Sequence, residues 1–148
     1  MPMDNQGGYR EDSEPAMKIF VGADHRGYNL KGKVVRLLTG KGHNVVDVGT
    51  HLKGQSCDYP RFSYKVAASV VKTKGSRGIL LCMTGIGHSI AANKIPGVRA
   101  ALCYNQKAAR LSRSHNDANI LVIGSQFVGQ KENHTNNRWS QLLTQTYP

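Results

Sequence analysis

Short apolar runs alternate with amphipathic stretches from residue 17 to the end of the chain. The apolar runs occupy residues 18–22, 45–49, 79–82, 98–103 and 120–124. Runs of this length with few polar residues are typical of strands that are buried on both faces of a parallel sheet. Strands that alternate with helices place those helices on both sides of the sheet. The pattern therefore predicts an α/β fold, a three-layer Rossmann-like sandwich around a five-stranded parallel sheet.

The stretches between the runs carry apolar residues at the spacing of a helix face. The first predicted helix buries Leu30, Val34, Leu37 and Leu38, and the second buries Phe62, Val66, Ala67, Val70 and Val71. Further helices are predicted to start at residue 89, to span 106–114 and to lie around 139–143. Residues 1–16 are polar and show no periodicity. They are predicted to be a disordered N-terminal extension of a single domain over 17–148.

Basic residues dominate the predicted domain. From residue 17 onward the chain has 19 lysines and arginines against 5 acidic residues, a formal charge of +14. Such an excess is typical of proteins that bind a phosphorylated metabolite or nucleic acid, and equally of a solubilising surface. Because the basic residues are scattered, with no run of five or more, a nucleic-acid partner is not predicted.

The cysteine count and the hydropathy pattern favour a cytoplasmic protein. The three cysteines, Cys57, Cys82 and Cys103, are odd in number and lack the CxxC spacing, which argues against a disulfide framework and against a zinc site. Free cysteines are typical of the reducing cytosol. No stretch reaches the roughly 18 apolar residues of a membrane span, and the N-terminus has no apolar signal core. We therefore predict no membrane partner and no metal.

The most informative stretch covers residues 78–94, with the sequence GILLCMTGIGHSIAANK. A buried strand ends at Cys82, a glycine turn follows, and a helix begins. Backbone N–H groups then face the space beyond the strand, where ligands bind in open α/β sheets. These donors are expected to lower the pKa of the Cys82 thiol and to make it a nucleophile or a base. With the Thr84 hydroxyl, they suit a substrate that develops negative charge on oxygen. A buried structural cysteine is the alternative.

Two further polar pairs are candidates for the same site. Asp24 and His25 follow the first strand, where they can serve as a helix N-cap, as site residues or as both. His115 and Asn116 precede the fifth strand, so they lie at the opposite edge of the sheet. Taken alone, they are ordinary loop residues. They would reach the same site only from a second subunit, which predicts a homodimer with composite sites. The other histidines are predicted to be surface or loop residues: His43, His51, His88 and His134.

No nucleotide-binding motif is complete. The Gly-x-Gly at residues 85–87 lacks the third glycine and the ribose-binding acid of the dinucleotide fingerprint. The turn after the first strand, GADHRG, is not a Walker sequence. The sequence therefore predicts no nucleotide cofactor.

Several segments, in their order and spacing, resemble the B-type ribose-5-phosphate isomerases, which group with the galactose-6-phosphate isomerases of the lactose pathway. They are VGADHRGYNLK, VVDVGT, DYP, GILLCMTGIGHSIAANK, PGVRAALC, ARLSRSHNDANILVIGS and FVG, within about residues 17–129. The resemblance implies a Rossmann-like sheet, a homodimer or tetramer with shared sites, and no metal or cofactor. It also implies aldose–ketose isomerisation between ribose 5-phosphate and ribulose 5-phosphate in the pentose phosphate pathway.

The resemblance further implies catalytic roles for residues of this chain. Cys82 is the base that moves a proton between C2 and C1 through an enediolate, and Thr84 and His115 open the furanose ring. A base beside the weakly acidic C2–H and donors beside the oxyanion are what the reaction requires. The oxyanion donors are the N–H groups of the turn and helix start, at Met83, Gly85, Gly87 and Ser89.

Four other side chains match substrate-contacting positions of the family. By the resemblance, Asp24 and Tyr59 contact the sugar and Asn116 helps to hold the enediolate. His25 binds the phosphate.

The chain also departs from the family. Gln126 stands where an arginine is usual, and the sequence ends without the family's arginine-containing tail. Met83 and His88 replace a common glycine and a common apolar residue. Since a charge-assisted contact contributes about 1.5–3 kcal/mol, the lost arginines would weaken phosphate binding strongly. We hypothesise that Arg26, at a helix N-terminus, partly replaces them.

Two alternatives to ribose-5-phosphate isomerisation stay open. One is an isomerase of a six-carbon sugar phosphate, such as galactose 6-phosphate or allose 6-phosphate. The other is a catalytically degenerate protein that binds a sugar phosphate. The missing arginines favour the second alternative, and the intact Cys82, Thr84, His115 and Asn116 oppose it.

Overall fold

The computed structural model describes residues 16–51, 58–128, 139–140 and 142–143, and of Tyr59 it describes the backbone only. Apart from residue 16, the predicted disordered extension lies outside the described residues, as do Cys57 and His134. The predicted C-terminal helix is helical at the residues described between 139 and 143.

The alternation of strands and helices is confirmed. The strands are β1 (Lys18–Ala23), β2 (Asn44–Gly49), β3 (Arg77–Cys82), β4 (Ala100–Leu102) and β5 (Ile120–Gly124). The helices are α1 (Tyr28–Gly40), α2 (Tyr59–Lys72), α3 (Ile86–Ala92), α4 (Gln106–Ser114) and α5 (Ser125–Val128), and a short 3-10 turn, His25–Gly27, precedes α1. Within the described ranges, no helix combines the length and the apolarity that crossing a membrane requires.

The strands form one parallel sheet in the order β2-β1-β3-β5-β4. The chain adds β2 on one side of β1, and it adds β5 and β4 on the far side of β3. β1 and β3 are therefore neighbours, with Ala23 beside Leu81 at their carboxyl ends. In open α/β sheets, ligands bind at such a switch point. The topology brings Asp24 and Cys82, at the ends of these two strands, to the same place.

Two apolar cores, one on each face of the sheet, confirm the three-layer architecture. On one face, α1, α4 and the C-terminal segment contribute Leu30, Val34, Leu38, Ala109, Trp139, Leu142 and Leu143. On the other face, α2 and α3 contribute Val66, Ala67, Val70 and Ala92. All residues of β5 and all but the first residue of β3 are buried. This burial on both faces explains why the central strands are continuous apolar runs.

Some boundaries differ from the prediction. α3 begins at Ile86 rather than at residue 89, because Gly85, at φ 84°, turns the chain directly into the helix. β4 covers only 100–102 of the predicted 98–103. The four-residue helix α5 is too short to leave a periodic pattern, and the sequence did not predict it.

The prediction that α2 buries Val71 is wrong. Its side chain is 46% exposed, whereas Phe62, Val66, Ala67 and Val70 are buried. Val71 follows the last residue of the buried stripe, and the helix ends one residue later.

Gly124 allows the turn after β3 to cross the end of β5. It pairs with Cys82 in the sheet register. A Cβ atom at Gly124 would overlap the backbone carbonyl group of Thr84. Because the overlap is with backbone rather than with a flexible side chain, relieving it requires movement of the turn that carries Thr84.

Gly124→Ala is expected to destabilise the protein by about 1–3 kcal/mol, the usual cost of overpacking. Gly40→Ala is the matched control, because nothing lies within 4 Å of a Cβ atom at this last residue of α1. Alanine there should stabilise the protein by roughly 0.4–1 kcal/mol. Urea unfolding followed by circular dichroism measures both changes. Equal midpoints for the two variants would contradict the close approach at Gly124.

Candidate active site

A cavity of about 310 Å³ lies at the carboxyl ends of β1 and β3. It is lined by Asp24, His25, Arg26, Met83, Thr84, Gly87 and His88. Six of these seven residues are candidate site residues of the sequence analysis, and His88 is the addition. The structure thus brings together the two segments that follow β1 and β3, as the sequence pattern predicts.

A larger cavity of about 550 Å³ lies beside α1 and the end of β2. Its walls include Lys31 and Asp47, whose ammonium and carboxylate groups are 2.9 Å apart. Lys31 is buried and also donates a hydrogen bond to the carbonyl of Thr50 at 2.5 Å. This ion pair fastens α1 to the end of β2. Since Thr84 and Met83, which follow Cys82, line the smaller cavity and not this one, the smaller cavity is the candidate active site.

Asp24 caps the turn that follows β1. Its Oδ1 accepts hydrogen bonds from the N–H groups of Arg26 and Gly27, each at 3.0 Å. The residue is only 7% exposed and lines the cavity. Asp24 can therefore serve both as an N-cap and as a site residue, the two roles that the sequence left open. One carboxylate oxygen accepts the capping hydrogen bonds, and the other can form part of the cavity wall.

Cys82 is buried at the end of β3, and its Sγ accepts a hydrogen bond from the N–H of Gly85 at 2.9 Å. The prediction that N–H donors lower the pKa of this thiol is wrong in its net direction. Burial raises the pKa of Cys82 above its usual value, and the Asp24 carboxylate raises it too. The N–H groups of Gly85, Thr84 and His88 oppose this increase without cancelling it. The thiolate formed here is therefore a stronger base than an ordinary thiolate.

His88 corrects a second prediction, which placed it on the surface. Its side chain is fully buried in the first turns of α3, and its Nδ1 lies 2.5 Å from Oγ of Ser63 on α2. Burial lowers the pKa of the His88 imidazole, while the Asp24 carboxylate and the Leu81 carbonyl oppose that decrease. The ring is thus held as neutral imidazole at neutral pH. The signal in the sequence was its position three and four residues before the small apolar pair Ala91 and Ala92, on one helix face.

His88 stands close to Asp24 and Cys82. One oxygen, sulfur or nitrogen atom from each of the three residues lies within 4.8 Å of the others. The cluster combines residues from the ends of β1 and β3 and from α3. Their positions in the sequence follow no metal-binding spacing, so the sequence could not predict the cluster.

The remaining histidines fall into three groups. His43 lies in the loop before β2, one of the two locations predicted for it, but it is buried, and its Nδ1 accepts a hydrogen bond from the N–H of Met17 at 3.1 Å. His51 is exposed, as predicted. His134 lies outside the described residues.

Several polar groups of the turn after β3 and of the start of α3 bond to one another. The N–H of Ile86 donates to Oγ1 of Thr84 at 3.3 Å, and the N–H of Ser89 donates to the carbonyl of Gly85 at 3.0 Å. Arg26 reaches across the cavity mouth, with Nη1 3.1 Å from Sδ of Met83. The predicted oxyanion role of the Met83, Gly85, Gly87 and Ser89 N–H groups stays a prediction, and those of Gly85 and Ser89 already have acceptors within the chain.

His115 and Asn116 lie away from the cavity. They are exposed at the end of α4, and the Arg99 side chain donates a hydrogen bond to the Asn116 carbonyl at 2.7 Å. They precede β5, so they are at the amino edge of the sheet, whereas Cys82 ends β3 at the carboxyl edge. A single chain does not bring His115 to Cys82. The catalytic role of His115 and the roles of Asn116 and Tyr59 stay predictions.

The family model for Ribose/Galactose Isomerase matches residues 19–141. A similar protein is ribose-5-phosphate isomerase B of Escherichia coli (strain K12). It is 46% identical over 112 residues, which cover 76% of this chain and 74% of the relative.

Solved structures of the same family have the same fold. Ribose-5-phosphate isomerase B of Clostridium thermocellum superposes with a TM-score of 0.81 at 47% identity, covering 88% of this chain and 83% of that structure. The Mycoplasma genitalium enzyme, solved with bound ribulose-5-phosphate, gives a TM-score of 0.79 at 37% identity, covering 88% and 82%.

The raised pKa of Cys82 predicts slow alkylation of this thiol by iodoacetamide at neutral pH. The rate should increase as pH rises, because thiolate is the reactive form, and should still be increasing where an ordinary thiol has reached its plateau. Peptide mass mapping assigns the label to Cys82.

Asp24→Asn is the matched variant for this measurement. Asparagine keeps a capping oxygen but removes the negative charge that raises the pKa of Cys82. Alkylation of Cys82 at neutral pH should therefore become faster. An unchanged or slower rate would contradict the electrostatic influence of Asp24 on the thiol.

Proposed function

Since this chain belongs to the ribose/galactose isomerase family, we propose that it interconverts ribose 5-phosphate and ribulose 5-phosphate. The observation that carries this function is the position of the Cys82 thiol at the switch point of the sheet, directly before Met83 and Thr84, which line the cavity. A cavity of about 310 Å³ is at the lower end of the range for small-molecule sites, which suits a five-carbon sugar phosphate.

Cys82 is the proposed base. The thiolate removes the C2 proton of the open-chain aldose, the electron pair forms the enediolate, and the proton returns to C1 to give the ketose. The C2–H group is weakly acidic, so the reaction needs a strong base. The raised pKa of Cys82 supplies that strength. The cost is a smaller fraction of thiolate at neutral pH.

The phosphate is proposed to lie at the cavity mouth. His25 and Arg26 line this side of the cavity, and Arg26 is exposed, so it can move from the Met83 sulfur to an anion. Gln126, in the place of the family's arginine, donates its N–H to the Met83 carbonyl at 3.0 Å. The backbone of residue 126 is therefore close to the Met83 side of the cavity, where an arginine side chain could contact the phosphate. The arrangement supports partial replacement by Arg26.

A second copy of the chain is proposed to complete the site. His115 and Asn116 cannot reach the cavity from the same chain, as their position before β5 shows. At the carboxyl edge of the sheet, large apolar side chains are exposed: Met83, Ile86, Ile90, Tyr104 and Phe127. Such a cluster beside a cavity is typical of a protein interface. These observations support a homodimer, alone or within a tetramer. The free thiols of the buried Cys82 and Cys103 support a reducing compartment, the cytoplasm.

A protein that binds sugar phosphates without catalysis is the second candidate. The glutamine at position 126 favours it, because glutamine cannot form an ion pair with phosphate. Turnover by the purified protein distinguishes the two candidates.

Cys82→Ala is expected to lower turnover of ribose 5-phosphate by about 10²–10⁴-fold, the usual contribution of a general base. Cys103→Ala is the control, because Cys103 is buried in the core and does not line the cavity. It should keep most of the activity. A coupled assay of ribulose 5-phosphate formation measures both. The enzyme proposal fails if the wild-type protein shows no turnover, and the role of Cys82 fails if Cys82→Ala stays active.

The composite site predicts complementation between inactive variants. Cys82→Ala and His115→Ala homodimers should each be nearly inactive. Mixed dimers have one site with both an intact Cys82 and an intact His115, so subunit exchange should restore about a quarter of the wild-type rate. A mixture no more active than the sum of its components, after exchange verified by mass spectrometry, would exclude the shared site.

A further inference from the structure

A carboxylate, a thiol and an imidazole meet beside the active-site cavity, which Asp24 and His88 help to line. Asp24, Cys82 and His88 are all buried, and one ligand atom from each lies within 4.8 Å of the other two. Oxygen, sulfur and nitrogen in this combination are ligands of Zn²⁺ and of related thiophilic cations. We propose that these three residues form a binding site for a divalent cation of the Zn²⁺ class, which inhibits the isomerase when it is bound.

The distances are compatible with a cation. Zn–S bonds of about 2.3 Å and Zn–N or Zn–O bonds of about 2.0–2.2 Å at tetrahedral angles place the ligand atoms about 3.3–3.8 Å apart. The three atoms are at most 4.8 Å apart. Closing the difference of about 1 Å requires changes of side-chain torsion and no change of the fold.

Each ligand is already oriented by a neighbour. Oδ1 of Asp24 accepts the two N–H groups of the capped turn, so the cation would take the second oxygen. Sγ of Cys82 accepts the Gly85 N–H, a contact that also stabilises a metal-bound thiolate. Ser63 lies 2.5 Å from Nδ1 of His88 and orients the ring that would supply the nitrogen ligand. Outer partners of this kind are usual for metal-ligating histidine.

Because Asp24 and His88 line the cavity, a fourth coordination position would be open toward it. Three protein ligands with an open position are typical of zinc sites that exchange water or substrate. On binding, the Cys82 thiol releases its proton to solvent, and the sulfur lone pair bonds to the cation. No oxidation occurs.

The inhibition part of the proposal rests on the proposed function. A sulfur bonded to a cation cannot take the C2 proton of the sugar. Cation and sugar phosphate therefore compete for Cys82 and Asp24. His88 lines the cavity, but no proton transfer and no substrate contact is proposed for it, so its replacement leaves the proposed base and the proposed substrate ligands in the chain.

Two substitutions at His88 distinguish the loss of cation binding from a defect in folding. His88→Leu removes the ligand and fills the buried position with an apolar side chain. His88→Gln keeps a polar group that can reach Ser63 but lacks the imidazole. Because the two replacements place different demands on the buried pocket, a folding defect in one of them does not prevent the test with the other.

Co²⁺ alone is the probe for binding, and it reports without any enzymatic activity. The full chain is stripped with chelator and titrated with Co²⁺. We expect one equivalent per chain and a thiolate-to-cobalt absorption band that Zn²⁺ displaces. Cys82→Ser should abolish the band, and both His88 variants should weaken binding by at least about tenfold. Cys57→Ser and Cys103→Ser should leave the band unchanged. A missing band, or one insensitive to His88 and Cys82, overturns the site.

Inhibition is measured with ribose 5-phosphate in the presence of Zn²⁺. Wild-type turnover should be inhibited competitively with the sugar phosphate and should recover with EDTA. The His88 variants should need at least tenfold more Zn²⁺ than the wild type to halve whatever metal-free turnover each of them has. Equal Zn²⁺ sensitivity in all variants overturns the inhibitory role. If no variant turns over ribose 5-phosphate while the cobalt band behaves as expected, the cation site stands and the proposed function fails.

Discussion

The contact between β1 and β3 determines where the chemistry of this protein can occur. The two strands are parallel neighbours, and the chain leaves them toward opposite sides of the sheet. Neither connection covers the carboxyl ends, so a cavity remains there. Asp24 directly follows β1, and Cys82 is the last residue of β3. A carboxylate and a thiol that are 58 positions apart in the sequence therefore lie close together. The position of the cavity, the raised pKa of the Cys82 thiol and the cluster of Asp24, Cys82 and His88 all follow from this pairing.

The same pairing sets two opposing influences on Cys82. Burial at the end of the central strand and the neighbouring carboxylate both disfavour the thiolate, while N–H groups of the turn after β3 favour it. One pKa unit corresponds to about 1.4 kcal/mol and to a tenfold change in the ratio of thiolate to thiol. A thiol with only the N–H donors would be easier to ionise and a weaker base. The site therefore favours proton abstraction from carbon over rapid nucleophilic attack, which agrees with an isomerase.

The sequence predicted the sheet well because its strands are buried on both faces. β5 and α4 were predicted with their observed bounds, 120–124 and 106–114. The sequence was less informative about polar residues whose burial depends on a single neighbouring side chain. The burial of His88 follows from its contact with Ser63 on another helix, and that of Lys31 from its ion pair with Asp47 on β2. Periodicity identifies the face on which a polar residue lies, but it does not identify the partner that makes its burial possible.

The net pKa of Cys82 could not be predicted for the same reason. The sequence of the turn predicts the N–H donors, because glycine after a buried strand is a local signal of a turn. The burial of the thiol and the approach of Asp24 depend on the strand order, which the sequence pattern alone does not give. His115 illustrates the opposite case: its position before β5 was sufficient to predict that it could not reach the cavity of its own chain. Local sequence therefore specifies which groups each strand end carries, and the strand order specifies which groups meet. The proposed composite site would require two chains that bring opposite edges of their sheets together.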